Sequence, residues 1–326
     1  MKEYGEIPGG NNEIKHLLYP FYKIYPLKIW SKYRWYKNSK LKSILPYLSQ
    51  KQKWLTVIDR LGAPGDALIT ANVIRSIKDR YTGVRINCIT PNPSLIKNDP
   101  IIETINQPET FYSFDSSYLE LIARKEQNEN IIQHNVNRLG IHDYEYRSIF
   151  YLSTKEEEWA KSILTNKSQK PILAICTRSK EPVKNWPLNY WADLVQNISS
   201  EFHIIQLGDS SEPKLHGVTY LAGKYTMRES AALLSKCGIF IGPDSLLMHI
   251  ANGLNIQSII IFGGSRPVKS FGYAKNINIA STPDCSPCWI HEGFEICDHR
   301  LQCMNSISTT QVLEAINSLV HLPSTN

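Results

Sequence analysis

The 326-residue chain carries no acidic residue between Glu13 and Asp59. The same interval holds Lys15, Lys23, Lys28, Lys32, Arg34, Lys37, Lys40 and Lys42, interleaved with Tyr19, Phe21, Tyr22, Tyr25, Trp30, Tyr33, Trp35 and Tyr36. Residues 1–52 are therefore expected to form a basic, aromatic N-terminal extension. Such a mixture suits an anionic membrane surface or glycan, where rings settle at the interface and lysines meet phosphates. It also suits single-stranded nucleic acid, or rings packed on the body of the protein or on a second copy. Composition leaves these readings open.

Other absences narrow the class. No stretch approaches 18 uninterrupted apolar residues, so no transmembrane helix is expected. The start "MKEYGEIPGGNNE" is polar and no apolar run follows it, so no secretory signal is expected. Seven cysteines, an odd number, with Cys88, Cys176 and Cys237 scattered, argue against a secreted disulfide scaffold and for a reducing, cytoplasmic compartment. No G-x-G-x-x-G follows a strand, which disfavours a nicotinamide or flavin oxidoreductase. A Walker A lysine motif and a G-x-S-x-G elbow are missing too, which disfavours a P-loop enzyme and an α/β-hydrolase.

What is present is an unbroken alternation of strand and helix signals. "KWLTVID" is an apolar, strand-length run, "GAPGD" a Gly/Pro loop, and "ALITANVIRSIKDRY" places Leu68, Ile69, Val73, Ile74 and Ile77 at helical spacing. "VRINCIT" is the next strand, "TFYSFD" another, and "NENIIQHNVNRLGI" a helix closed by Gly140. A second series follows "TKEEEWAKSILTN". Strands "ILAICT", "FHIIQLG", "IFIGPD" and "SIIIFGG" alternate with helices "NYWADLVQNIS", "TMRESAALLSKC" and "SLLMHIANGL", and "TTQVLEAINSLVHL" closes the chain. This is α/β organisation in two halves, expected as domains at 53–155 and 156–326 with a cleft between two parallel sheets. Ligands of such sheets sit beyond the carboxyl ends of the strands, so the loops after strands are the ones to inspect.

Three of them carry chemistry. In "GAPGD", Asp66 stands where a helix begins. It reads either as an N-cap or as a carboxylate positioned as general base, with Gly62 and Gly65 letting a substrate approach the backbone. In "CTRSKEPVKNWP", Thr177, Arg178 and Lys184 supply a hydroxyl and two cations suited to a diphosphate; Trp186 reads as a packing anchor and Pro187 as a first helical residue. In "GPDSLLMHIANGL", Asp244 and Ser245 precede a helix whose first N–H groups suit phosphate, and His249 follows within about a turn. Beyond the last strand, Cys285, Cys288, Cys297 and Cys303 fall at C-x2-C-x8-C-x5-C spacing. Four thiolates suit structural Zn²⁺ or iron. A closed site of that kind has no open position for substrate, so it reads as a clamp on the C-terminal half. The other reading is reduced thiols in a surface loop, or a chance disulfide pair.

Taken together the three loops resemble glycosyltransferase family 9, the heptosyltransferase family. "VIDRLGAPGDALIT" looks like its opening strand and Gly-Asp loop, "KNWP" like its Lys-x-Trp-Pro segment, and "GPDSLLMHIANGLNIQSIIIFG" like its Asp-Ser-Gly-x-x-His-x-Ala signature. "CSPCW…C…CMNSIS" resembles the cysteine-bearing tail of many members. The resemblance spans roughly residues 53–320. It implies a GT-B fold, two Rossmann-like domains facing a cleft, and inversion at the anomeric carbon without a catalytic metal. By matching position, it implies that Asp66 is the base, Lys184 a donor-diphosphate contact and Glu229 a ribose ligand. Asp244, Ser245, Leu246 and Leu247 would lie against the donor's sugar and phosphates, with His249 behind them. Thr177 and Arg178 align less directly, because the segment before Lys184 is longer here. Leu246 stands where the family has a small residue.

The implied donor is a nucleotide-sugar, ADP-heptose first, and the implied acceptor a glycan, a glycolipid or a protein. The branch that glycosylates autotransporter proteins shares the "CSPCW" tail and binds iron through four cysteines. The N-terminal arm implies peripheral membrane contact, on the inner face of a bacterial inner membrane, or a homo-oligomer; no nucleic-acid partner is expected. Two other readings remain: a catalytically silent sugar-binding relative, and a metal-ribbon module binding nucleic acid.

Overall fold

The computed structural model describes residues 40–164, 169–289 and 297–320. Most of the aromatic-basic segment, up to residue 39, lies outside the described residues. The chain divides into two compact units. One comprises the chain up to Tyr118 together with Ile132–Glu145; the other comprises Leu119–Ile131 and the chain from Tyr146 onward.

The first unit is built on a four-stranded sheet of order β3-β2-β1-β4, with β1 at Trp54–Asp59, β2 at Arg85–Ile89, β3 at Thr104–Ile105 and β4 at Ser113–Ser116. All its pairings are parallel. The run "LTVID" of β1 is buried throughout, as a strand covered on both faces requires. The helix Pro64–Arg80 follows, with Pro64 and Asp66 in its first turn and Lys78 and Arg80 in its last, the polarity a helix dipole favours. A further helix spans 40–50. It buries Leu41, Leu45 and Leu48, an i, i+4, i+7 stripe, and its Ser49 Oγ accepts from Gly83 N–H at 3.1 Å. The last part of the expected extension is thus packed into the first unit's core.

The second unit carries a six-stranded sheet of order β10-β9-β8-β5-β6-β7. Its strands are β5 (Ile172–Ile175), β6 (His203–Gln206), β7 (Thr219–Tyr220), β8 (Ile239–Pro243), β9 (Gln257–Gly263) and β10 (Ile277–Ala280). All its pairings are parallel too. Leu173, Ile175, Ile239, Ile241, Ile259 and Ile261 form one face of a core with Trp186, Trp191, Leu194, Met304 and Ile316. Trp186, the expected anchor, is buried and its Nε1 donates to Ile307 O at 2.8 Å, tying the "KNWP" segment to the chain's last part. Pro187 precedes the helix Leu188–Ile198 at its N-cap rather than occupying its first position.

Strand order fixes where chemistry belongs. In each sheet the chain starts in the interior, builds outward to one side, and then returns to the other. The reversals fall between β1 and β4 and between β5 and β8. Such points open a crevice at the carboxyl ends of the two strands. The segments that follow β1, β5 and β8 are those that carry Asp66, Lys184 and Asp244. No helix among the described residues is long and apolar enough to cross a membrane.

Candidate active site

After β1 the chain turns at Gly62, whose φ of +74° suits glycine, and where a Cβ would meet Pro91 at 3.1 Å. Asp59 shapes this turn. Its Oδ1 accepts from Gly62 N–H at 2.9 Å and its Oδ2 from the Thr90 hydroxyl at 2.8 Å, while Asn92 Nδ2 donates to Gly62 O at 2.9 Å. Burial pushes Asp59 up to about 6, against the lowering effect of these hydrogen bonds. Asp66 is not the N-cap. Ala63 holds that position and Asp66 lies three residues on, where its Oδ2 accepts from Ala63 N–H at 3.1 Å. Its Oδ1 accepts from Tyr118 Oη at 2.7 Å. The carboxylate is 7 % exposed and fixed at both oxygens. Gly65 sits inside the helix's first turn, so of the two glycines only Gly62 belongs to the loop.

In the second unit the loops after β5, β8 and β9, three adjacent strands, converge on a cluster of charges. Lys184 Nζ lies 2.9 Å from Asp244 Oδ2 and 3.3 Å from Glu181 Oε1, and donates to Asp244 O at 3.3 Å. Arg266 Nη2 reaches both Glu181 oxygens, at 2.9 and 2.6 Å, and Arg266 Nη1 lies 3.6 Å from Asp244 Oδ2. Burial alone would raise Asp244; Lys184 and Arg266 outweigh it and hold the carboxyl below its ordinary value. Buried charges need such pairing, because desolvation otherwise costs several kcal/mol per ion, as an order of magnitude.

Ser245 is the N-cap of the helix Leu246–Gly253, but its side chain caps nothing, and its buried Oγ has no hydrogen-bond partner. An unsatisfied buried hydroxyl costs about 1–3 kcal/mol, which an incoming oxygen ligand would relieve. His249 is pushed down to about 4, by burial first and by Lys184, against the opposing pull of Asp244. It is therefore neutral at pH 7, with Nδ1 2.7 Å from Tyr273 Oη. Burial raises the Tyr273 phenol, which stays protonated.

Thr177, Arg178 and Glu229 are hydrogen-bonded to groups outside these ion pairs. Thr177 is buried and its hydroxyl donates to Glu212; the N–H groups of Thr177 and Arg178 donate to the same carboxylate at 3.0 and 2.9 Å. The Arg178 side chain is exposed and reaches Ser211 O at 3.4 Å. Glu229 Oε2 accepts from Thr226 N–H and Oγ1, both at 2.8 Å, closing a capping box on the helix Met227–Leu234. Leu246 is half-buried and Leu247 buried.

The four cysteines lie on the loop after β10 and on the segment from residue 297. Burial raises the Cys303 thiol, and the neighbouring Cys288 and Cys297 add to this. Among the described residues no three His, Cys, Asp or Glu side chains stand close enough to hold a metal. The loop braces the one that carries Arg266: Ser286 Oγ donates to Gly264 O at 2.8 Å and Trp289 N–H to Ser265 O at 2.8 Å.

Glu181, Arg266, Glu212, Tyr118, Tyr273 and Asp59 escaped the sequence reading. The only signal for Arg266 and Glu181 is their position on loops that follow strands.

Comparison with known proteins decides the family. The model of glycosyltransferase family 9 (heptosyltransferase) matches residues 123–293, more than half of the chain. The chain belongs to this family. A lipooligosaccharide heptosyltransferase 2 from Haemophilus ducreyi is 24% identical over 193 residues, 52% of this chain and 55% of that protein. The chain matches between about a third and just over half the length of its curated relatives. Among solved structures, a family 9 glycosyltransferase from Veillonella parvula aligns with a TM-score of 0.63 at 13% identity, over 82% of this chain and 97% of that one. The iron-containing dodecameric glycosyltransferase TibC of enterotoxigenic Escherichia coli aligns with a TM-score of 0.65 at 18% identity, over 82% and 76%. TibC has also been solved with ADP-D-β-D-heptose. The fold is thus the GT-B arrangement of the family.

Proposed function

We propose that the protein is an inverting glycosyltransferase that moves a heptose from ADP-heptose to a hydroxyl of a surface glycan, a glycolipid or a protein. The observation that carries this reading is the pair of buried cations at the carboxyl ends of β5 and β9, beside a helix whose N-cap hydroxyl, Ser245 Oγ, has no partner. In this reading the diphosphate of the donor meets Lys184 and the first N–H groups of the helix Leu246–Gly253. Negative charge grows on that diphosphate as the glycosidic bond breaks, and fixed positive groups stabilise it without reorganising. Asp66 takes the proton from the acceptor hydroxyl as its oxygen attacks the anomeric carbon. Tyr118 and Ala63 N–H hold the carboxylate in one orientation for that transfer. Glu229 serves the ribose, and catalysis needs no divalent ion.

A thermal-shift screen of nucleotide-sugars tests this, since a bound donor raises stability by mass action. ADP-heptose should give the largest shift. Equal shifts with all sugars would refute the donor assignment. Slow hydrolysis of ADP-heptose without acceptor separates the enzyme from a silent sugar-binding relative.

The four cysteines, Cys285, Cys288, Cys297 and Cys303, would hold a structural iron or zinc, a reading supported by their C-x2-C-x8-C-x5-C spacing. When bound, the metal supplies cross-linking of the loop that braces Gly264 and Ser265. Protein purified without added metal should carry close to one equivalent, and only traces would exclude the site. The aromatic-basic N-terminal arm would provide peripheral contact with an anionic bilayer on the cytoplasmic face, or an oligomer contact. Flotation with anionic and neutral vesicles distinguishes the two.

A further inference from the structure

Four charged side chains meet at the carboxyl ends of β5, β8 and β9, and they differ in depth. Lys184, Arg266 and Asp244 have side chains only 6, 5 and 7 % exposed, whereas Glu181 is 20 % exposed. Glu181 is the outer member. Its two oxygens span Lys184 Nζ at 3.3 Å and Arg266 Nη2 at 2.9 and 2.6 Å. A carboxylate that bridges an ammonium and a guanidinium in this way presents its oxygens as a phosphoryl group would. Asp244 sits behind both cations and remains ionised, held down by them.

Charge counting favours exchange over addition. Two cations and two carboxylates sum to zero, so a diphosphate entering beside all four would bring uncompensated negative charge into a buried place. Without Glu181 the other three side chains, Lys184, Arg266 and Asp244, sum to a net positive charge toward the entering anion. Arg266 is held for this by its neighbours: its guanidinium lies 5.0 Å over the Phe271 ring. The loop under Glu181 is closed separately, by Ser179 N–H to Asn185 Oδ1 at 2.7 Å, so displacing the carboxylate leaves that closure in place.

We propose that Glu181 is an internal stand-in for the donor's diphosphate, and that Arg266 is a second diphosphate-binding cation which the ligand takes over when Glu181 is displaced. This rests on the reading of the second unit as the donor-binding unit. Donor binding is then a competition between two anions for the same pair of cations.

The test is calorimetric binding of ADP, and of adenosine as a ligand without phosphates, to the full-length protein and three variants. Glu181→Gln removes the competitor and keeps the side-chain shape, so ADP should bind about tenfold more tightly with adenosine affinity unchanged. Arg266→Gln should weaken ADP about tenfold or more, again sparing adenosine. Unchanged or weaker ADP binding by Glu181→Gln overturns the stand-in role, and this variant decides alone if Arg266→Gln does not fold. Unchanged ADP binding by folded Arg266→Gln overturns the role of the arginine. Lys184→Ala keeps the two readings apart. If the wild type binds ADP and Lys184→Ala weakens it while the other variants match the wild type, only this inference fails. If the wild type binds neither ligand, the donor reading fails with it.

Discussion

Asp66 in the first unit and Asp244 in the second are both nearly buried carboxylates beyond the carboxyl end of a parallel sheet, yet their partners differ in kind. Asp66 accepts from a backbone N–H and a phenol. Asp244 faces an ammonium and a guanidinium. Neutral donors orient a carboxylate, which suits a group that must receive a proton in one direction. Cations cancel the charge, which suits a group whose task is to hold those cations where an anionic ligand will need them.

The sharpest break of this contrast is functional. Asp66→Asn should cut turnover by about 10²–10⁴-fold while ADP affinity stays the same, since only proton transfer is lost. Near-normal steady-state rates would remove Asp66 as the base. Lys184→Ala should instead act on binding and stability together. It leaves Asp244 short of its nearest cation, a loss of about 3 kcal/mol in urea unfolding, and it weakens ADP measurably by calorimetry. An unfolding midpoint equal to the wild type would show that Arg266 alone suffices for Asp244.

A change of pH should act with opposite signs in the two units. Asp59 is raised to about 6 when folded, so between about pH 4 and 6 the folded state keeps a proton that the unfolded chain has released. The first unit should lose about 3 kcal/mol as pH rises through that window. His249 is lowered to about 4, so between about pH 4 and 6.5 the unfolded chain carries a proton that the folded state lacks. The second unit should gain about 3 kcal/mol as pH rises there. Hydrogen exchange of peptides covering β1 and the helix Leu246–Gly253, corrected for intrinsic rates, should show the two trends crossing. Parallel trends would break the contrast. The smallest effect is expected from Tyr118→Phe, which removes one hydrogen bond to a carboxylate and should slow turnover by about tenfold without changing ADP affinity. Loss of ADP affinity would show that Tyr118 does more than orient Asp66.

The core strands β1, β5, β8 and β9 were legible because buried parallel strands read as continuous apolar runs. The two-residue strands β3 and β7 are too short to show any period, and β10, "INIA", is half-buried without a clean alternation. Asp66, Lys184, Asp244 and Ser245 could be found because each follows a strand and opens or precedes a helix. Glu181 and Arg266 could not be paired in advance: they are 85 positions apart, and only the order β9-β8-β5 makes their loops neighbours. Asp66 shows the limit of local signals. Its capping role was visible, but its position within the helix was not, because Ala63 gives no side-chain cue of an N-cap.

The Glu212 carboxylate has a consequence for anyone redesigning this protein. It accepts from Cys176 Sγ, Thr177 N–H, Thr177 Oγ1, Arg178 N–H and Gln206 Nε2. It fits only because Gly208 is a glycine, where a Cβ would meet Glu212 Cγ at 2.5 Å. The loop after β5 is thus wired to a residue one strand further on. A graft of residues 176–178 from a relative would arrive without its acceptor. The smallest transplantable module runs from Cys176 through Glu212, and chimaeras should be cut outside those limits.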